Sequence, residues 1–196
     1  MTINLLLALV AFSFVTAVTP GPNNLMLMAS GANFGFRRTL PHALGVTFGF
    51  SFMVLLVGLG LAQVFERFPV AGTVLRVVSV VYLLWLAWKI GTAAAPGAGQ
   101  GAGRPFSFLQ AAGFQWVNPK AWTMALTAVS VYNPDHSLLA LTTTTAIFAL
   151  VTLPSCSGWM LLGQQMARVL TNRARLRLFN GVMAALLVGS LVPVLV

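Results

Sequence analysis

Four stretches of this chain carry no formally charged residue. They run from Met1 to Arg37, from Arg38 to Glu66, from Asp135 to Arg168, and from Arg177 onward. Each exceeds the roughly 18 residues that mark a candidate membrane span. The chain is 58% hydrophobic and 7% charged, where a soluble domain has roughly 25% charged residues. With 196 residues there is room for about six spans and no separate soluble domain. The expected fold class is therefore an all-α integral membrane protein.

Hydrophobic runs place six helical segments, at 3–36, 40–62, 70–90, 106–131, 138–163 and 178–195. The first is too long for a straight perpendicular span at about 1.5 Å rise per residue, so it must tilt, break or extend past the bilayer. Residues 92–103 are Ala, Gly, Pro and Gln after Thr92. They read as a central linker between two three-helix halves, 1–91 and 104–196, of one transporter-sized domain. The apolar N-terminus lacks a basic leader region and reads as a retained span.

Loop charges orient these segments. Arg37 and Arg38, then Lys89 and Arg104, then Arg168, Arg173, Arg175 and Arg177 place eight positive charges on the odd-numbered connections. The others hold Glu66 with Arg67, and Asp135 alone. Cytoplasmic loops collect Lys and Arg, so both termini are expected outside the cytoplasm. Three spans per half then insert the halves in opposite senses, as in an inverted repeat.

Two helix-breaking motifs interrupt the apolar sequence: Pro20-Gly21-Pro22-Asn23-Asn24 and Asn118-Pro119-Lys120. Pro119 stands 97 positions after Pro22 in a chain whose half-length is 98. Proline favours the first position of a helix, and Gly21 and Asn118 are suitable N-caps. Segments one and four are thus expected to break near 20 and 118 and to restart as half-helices. The first amides of such a start lack intrahelical partners and, with the helix dipole, favour an anion. Irregular backbone at membrane depth is tolerated where it is buried in protein or lines a cavity. Together the motifs predict a carboxylate site near the midplane.

Lys120 is the only charge between Phe106 and Asn133. An ionisable residue in mid-span is costly and marks function, and no acid in another segment can pair with it. A substrate carboxylate is its expected partner. Asn23, Asn24 and Asn118 add amide donors and acceptors. Gly45 and Gly49 form a G-x-x-x-G suited to close helix packing or gating, and Pro154 is expected to kink segment five. His42 reads as interfacial, as do Tyr82, Trp85 and Trp88 beside Lys89.

The order Thr19-Pro20-Gly21-Pro22-Asn23, Gly35-Phe36-Arg37, Gly45-x-x-x-Gly49, Tyr82-Leu-Leu-Trp85-Leu-Ala-Trp88-Lys89 and Asn118-Pro119-Lys120 resembles the LysE/RhtB family of bacterial amino-acid exporters. The similarity covers nearly the whole chain. It is strongest to the branch that exports cysteine and O-acetylserine, in Pro-Gly-Pro-Asn-Asn and Trp-Leu-Ala-Trp-Lys-Ile. The resemblance implies a six-span protein of the bacterial inner membrane that exports amino acids or related metabolites on the proton gradient. Some members carry an acid just after the second glycine of segment two; here that residue is Phe50.

The leading expectation is a secondary exporter of small neutral amino acids. Its alternatives are an exporter of another small metabolite or a cation, and a non-transporting accessory membrane protein. Enzymatic chemistry would need a carboxylate, a His-paired nucleophile or a metal, which the segments do not supply. No cofactor or metal is expected; the spans lack acids, and Cys156 is the single cysteine. The partners are a small-molecule substrate and the lipid bilayer. The basic residues punctuate apolar runs and form no single face, so the net charge of +9 does not indicate nucleic acid. A homo-oligomer is left open.

Overall fold

The computed structural model describes residues 1–92, 104–170 and 172–192. All secondary structure among them is helical: α1 (Ile3–Val18), α2 (Pro22–Phe34), α3 (Phe36–Leu56), α4 (Ala62–Arg67), α5 (Pro69–Gly91), α6 (Phe108–Phe114), α7 (Pro119–Tyr132), α8 (Leu138–Val169) and α9 (Arg173–Gly189), with short turns at Val57–Leu61 and Gln115–Val117. The linker expected at 92–103 lies, beyond Thr92, outside the described residues, as does the end of the sixth segment.

Local chemistry explains the boundaries. Thr2, Ser107, Ser137 and Asn172 cap α1, α6, α8 and α9 through their side chains, as short polar residues do at helix starts. Gly35 separates α2 from α3 at φ 77°, a left-handed conformation that glycine adopts without steric cost. The chain therefore turns in one residue, and α3 starts at Phe36. Arg37 and Arg38, expected in a loop, occupy its first turn. Arg38 lies 5.5 Å from the centre of the Phe34 ring.

The arginines after segment five are likewise helical. Arg168 sits in the last turn of α8, and α9 begins at Arg173, so the expected loop shrinks to residues 170–172. Arginine is a good helix former with a long stem, so it does not by itself end a helix. Pro154 leaves α8 uninterrupted across its 32 residues.

Buried side chains form three clusters. Leu25, Met28, Leu83, Leu86, Phe179 and Leu187 join α2, α5 and α9. Leu9, Phe50, Met53, Ala125 and Phe148 join α1, α3, α7 and α8. Leu27, Val46, Ala111, Cys156 and Met160 join α2, α3, α6 and α8. Gly31 and Gly163 let α2 and α8 touch backbone to backbone: a Cβ on Gly31 would strike the Met160 carbonyl, and one on Gly163 the Met28 carbonyl.

The outer faces are apolar. Leu7, Phe14, Phe52, Val70, Val74, Val81, Leu139 and Leu150 are exposed, the pattern of a bundle whose solvent is lipid. Phe36–Leu61, Val70–Gly91 and Leu138–Val169 are each long and apolar enough to cross a membrane, and α1 with α2, bent by 53°, would make a fourth span. Among the described residues, the expected fourth and sixth segments fall short of that length. The turn at Gln115–Val117 divides α6 from α7, and α9 has 17 residues.

Candidate functional site

At the first break, Pro20 disfavours helical backbone for the residue before it, and Thr19 is extended at φ −62°, ψ 132°. The end of α1 thus leaves carbonyls without amide partners. Asn24 supplies them from the next helix: its side-chain amide donates to Ala17 O at 2.8 Å and Thr19 O at 2.9 Å. Ser155 of α8 donates to Ala17 O as well, at 2.8 Å. Helix α2 then starts with Pro22 behind Gly21, which has no side chain to offer as a cap.

The second break is built differently. Asn118 caps α7, with its Oδ1 accepting from the Lys120 amide at 3.2 Å. Its carbonyl accepts from Ala121 at 3.0 Å and Trp122 at 3.3 Å. The two half-helix starts were expected to offer alike; at α7 the cap residue already engages the first available amide. The start of α2 has no such cap.

Two contacts join the breaks. The side chains of Asn23 and Gln115 bond each other in both directions: Asn23 Nδ2 donates to Gln115 Oε1 at 2.8 Å, and Gln115 Nε2 to Asn23 Oδ1 at 3.1 Å. Lys120 Nζ donates to Thr19 O at 2.6 Å across 101 residues. Gly21 makes room for that lysine. Its φ of −173° is open to any residue, but a Cβ there would lie 2.8 Å from Lys120 Cδ and 3.2 Å from Nζ.

A cavity of about 40 Å³ lies where these groups converge. Gly21, Asn23, Asn24, Asn118 and Lys120, all singled out from sequence, line it. Pro22 is buried, Pro119 half-buried and Pro20 exposed; these three frame the breaks without lining the cavity. Gly45 and Gly49 lie elsewhere, beneath Phe108 O, Ala111 and Ala112 of α6. Pro154 opens onto an outward groove with Phe14, Val18, Leu150 and Leu162.

Sequence reasoning missed Thr16, Val46, Met124, Thr152 and Cys156 as lining residues, and Gln115 as the partner of Asn23. Gln115 is fully buried, and an amide in an apolar run three residues before Asn118 is its available signal. The Thr152 hydroxyl is buried with no hydrogen-bond partner among the described residues. Phe50 forms part of the wall. Among the described residues the lining thus presents one cation, several neutral polar groups and no carboxylate.

Apolar helices around a partly open pocket with polar groups in its lining, and interrupted backbone beside it, are the architecture of a multi-pass membrane transporter. Comparison with known sequences names the group: the LysE type translocator family matches residues 14–193. The chain belongs to this family, whose members are transporters and not enzymes.

Among similar proteins is the "Cysteine/O-acetylserine efflux protein" of Klebsiella pneumoniae, 33% identical over 135 residues, or 67% of each chain. Proteins of the same name from Escherichia coli K12 and Salmonella typhimurium are each 35% identical, again over 67% of each chain. No solved structure matches the chain.

Proposed function

We propose that this protein is a secondary exporter of small neutral amino acids or close relatives across the bacterial inner membrane, driven by the proton gradient. The observation that carries the site is Lys120. Its ammonium rests on a backbone carbonyl beside the uncapped start of α2, in a cavity without an acid. A substrate carboxylate would complete that charge balance, held by Lys120 and the first amides of α2. Asn23, Asn118 and the free Thr152 hydroxyl stand within the same lining for the amino end. Val46, Phe50, Met124 and Cys156 supply a small apolar wall. The relatives' names point to cysteine and O-acetylserine as the first substrates to test.

We read the chain as six spans in a 3+3 inverted repeat, with both termini periplasmic. The packing supports this. Under a shift of 97 residues α3 falls on α8 and α5 on α9; α3 packs against α8, and α5 against α9. Likewise α1 packs on α8 as α6 packs on α3. Helices α2 and α7, of 13 and 14 residues, both begin at the proline that the shift superposes.

The cavity has room for about one to three waters and not for an amino acid. Loading an amino acid would require the breaks to part.

Purified protein in liposomes tests the reading. Labelled O-acetyl-L-serine should exchange against the unlabelled compound inside, and a pH difference should drive it to accumulate. Protein that catalyses neither is not a carrier for this class.

A further inference from the structure

One titratable side chain in the bundle has no role in the site above. His42 is 2% exposed, and both Nδ1 and Nε2 are buried without a hydrogen-bond partner among the described residues. It was expected at the interface. Helix α3 begins six residues before it, and its ring packs at 5.3 Å from that of Phe106. Buried polar groups in folded proteins are paired with few exceptions, and an exception calls for an explanation.

Its place on α3 suggests one. Val46 and Phe50 stand one and two turns further on the same helix face, and both line the cavity. At about 1.5 Å per residue, His42 lies roughly one turn beyond the cavity wall, toward Arg37 and Arg38. By the charge rule this is the cytoplasmic side.

The elements packed against α3 offer no counter-charge. Neither α2 nor α6 contains a titratable residue. Helix α8 brings Cys156, which also lines the cavity, and Arg168 in its last turn. Helix α7 brings Lys120, held on Thr19. The segment entering α6 brings Arg104, and α3 itself brings Arg37 and Arg38. All the charged groups among these are cationic. A buried imidazolium would lack a partner here, so protonation requires an arrangement that opens the ring to water.

We propose that His42 is the proton-coupling residue of the transport cycle. This rests on the proton-driven export proposed above. The two acids of the chain, Glu66 and Asp135, lie at the end of α4 and in the turn before α8. Imidazole exchanges protons near neutral pH. One ring nitrogen takes a proton that enters from the periplasm as substrate leaves outward. It gives that proton to the cytoplasm before the next substrate loads. One proton moves inward for each substrate carried outward, and no bond other than N–H forms or breaks.

The test separates coupling from binding. Wild type, His42→Gln and His42→Leu are reconstituted, and two rates are measured with O-acetyl-L-serine: exchange without a gradient, and accumulation driven by a pH difference. The proposal expects both variants to exchange near the wild-type rate and to lose acceleration by the gradient. Gradient-driven accumulation at the wild-type level in either variant overturns it. So does loss of exchange in step with accumulation in both, which assigns His42 to packing. A wild type that exchanges but ignores the gradient sinks the proton-driven reading itself, and His42 with it.

Discussion

Lys120→Met is the sharpest probe of the cavity. Methionine keeps most of the stem that packs beside Gly21 and removes the ammonium, so the fold should survive. A hydrogen bond to a charged group contributes about 1.5–3 kcal/mol, equivalent to about a ten- to hundredfold change in affinity. The structure favours the lower end. Thr19 O keeps a second donor, Asn24 Nδ2 at 2.9 Å, so Lys120 can leave it without stranding a carbonyl. On loading, the lysine would exchange a neutral acceptor for an anionic one, and only the difference counts toward affinity. The expected result is a loss of about tenfold or somewhat more in apparent affinity for O-acetyl-L-serine, read by counterflow in liposomes. Its amide and methyl ester, which lack the anion, should lose little. Equal losses for acid, amide and ester would remove Lys120 from carboxylate recognition, whatever the size of the loss.

Three further outcomes follow from the same geometry. Gly21→Ala should fold, because its backbone is open to any residue, and should weaken transport by pushing Lys120 off Thr19. Gly21→Leu should nearly abolish transport, and a Gly21→Ala protein with wild-type kinetics would contradict this. Glu66→Gln combined with Asp135→Asn should retain most gradient-driven transport in liposomes; complete loss of coupling in a folded protein would place one of these acids on the proton path. Alkaline phosphatase fused to the C-terminus should be active and green fluorescent protein at the same position dark; the reverse pattern would overturn the topology and the inverted repeat.

The prolines were legible because their effects are local. A missing amide and a fixed φ act through bonded neighbours, so Pro22 and Pro119 mark helix starts in any context. Charge was a poorer guide to boundaries. Arg37, Arg38, Arg173, Arg175 and Arg177 were read as loop residues, yet helices run through them. The operative signal beside the first pair was Gly35. The apolar half of the site was not legible at all. Val46, Met124 and Cys156 come from α3, α7 and α8, and only tertiary packing aims them at one point. His42 was misplaced for a related reason: its surroundings depend on where α3 starts and on Phe106, 64 positions later in the chain.

The difference between the two breaks bears on how the proposed site can bind an asymmetric substrate. Identical half-helix starts would present two equal anion sites to a molecule with one carboxylate and one amine. Here Asn118 caps its own helix, while Gly21, 97 positions earlier, leaves α2 uncapped and admits Lys120. The proposed anion site is thus assembled from both breaks, so the carboxylate should sense their separation. The links across the breaks are few. The Asn23–Gln115 pair makes two neutral hydrogen bonds and Lys120–Thr19 one charged bond. At about 0.5–1.5 kcal/mol for each neutral bond and 1.5–3 for the charged one, opening would cost a few kcal/mol before water compensates. Such a gap leaves the open state a minor but accessible population. A substrate that takes over Lys120 while freeing Asn23 can offset a cost of that size through its greater affinity for the open form. On this reading the groups that link the two breaks are the ones that the cargo must engage to part them.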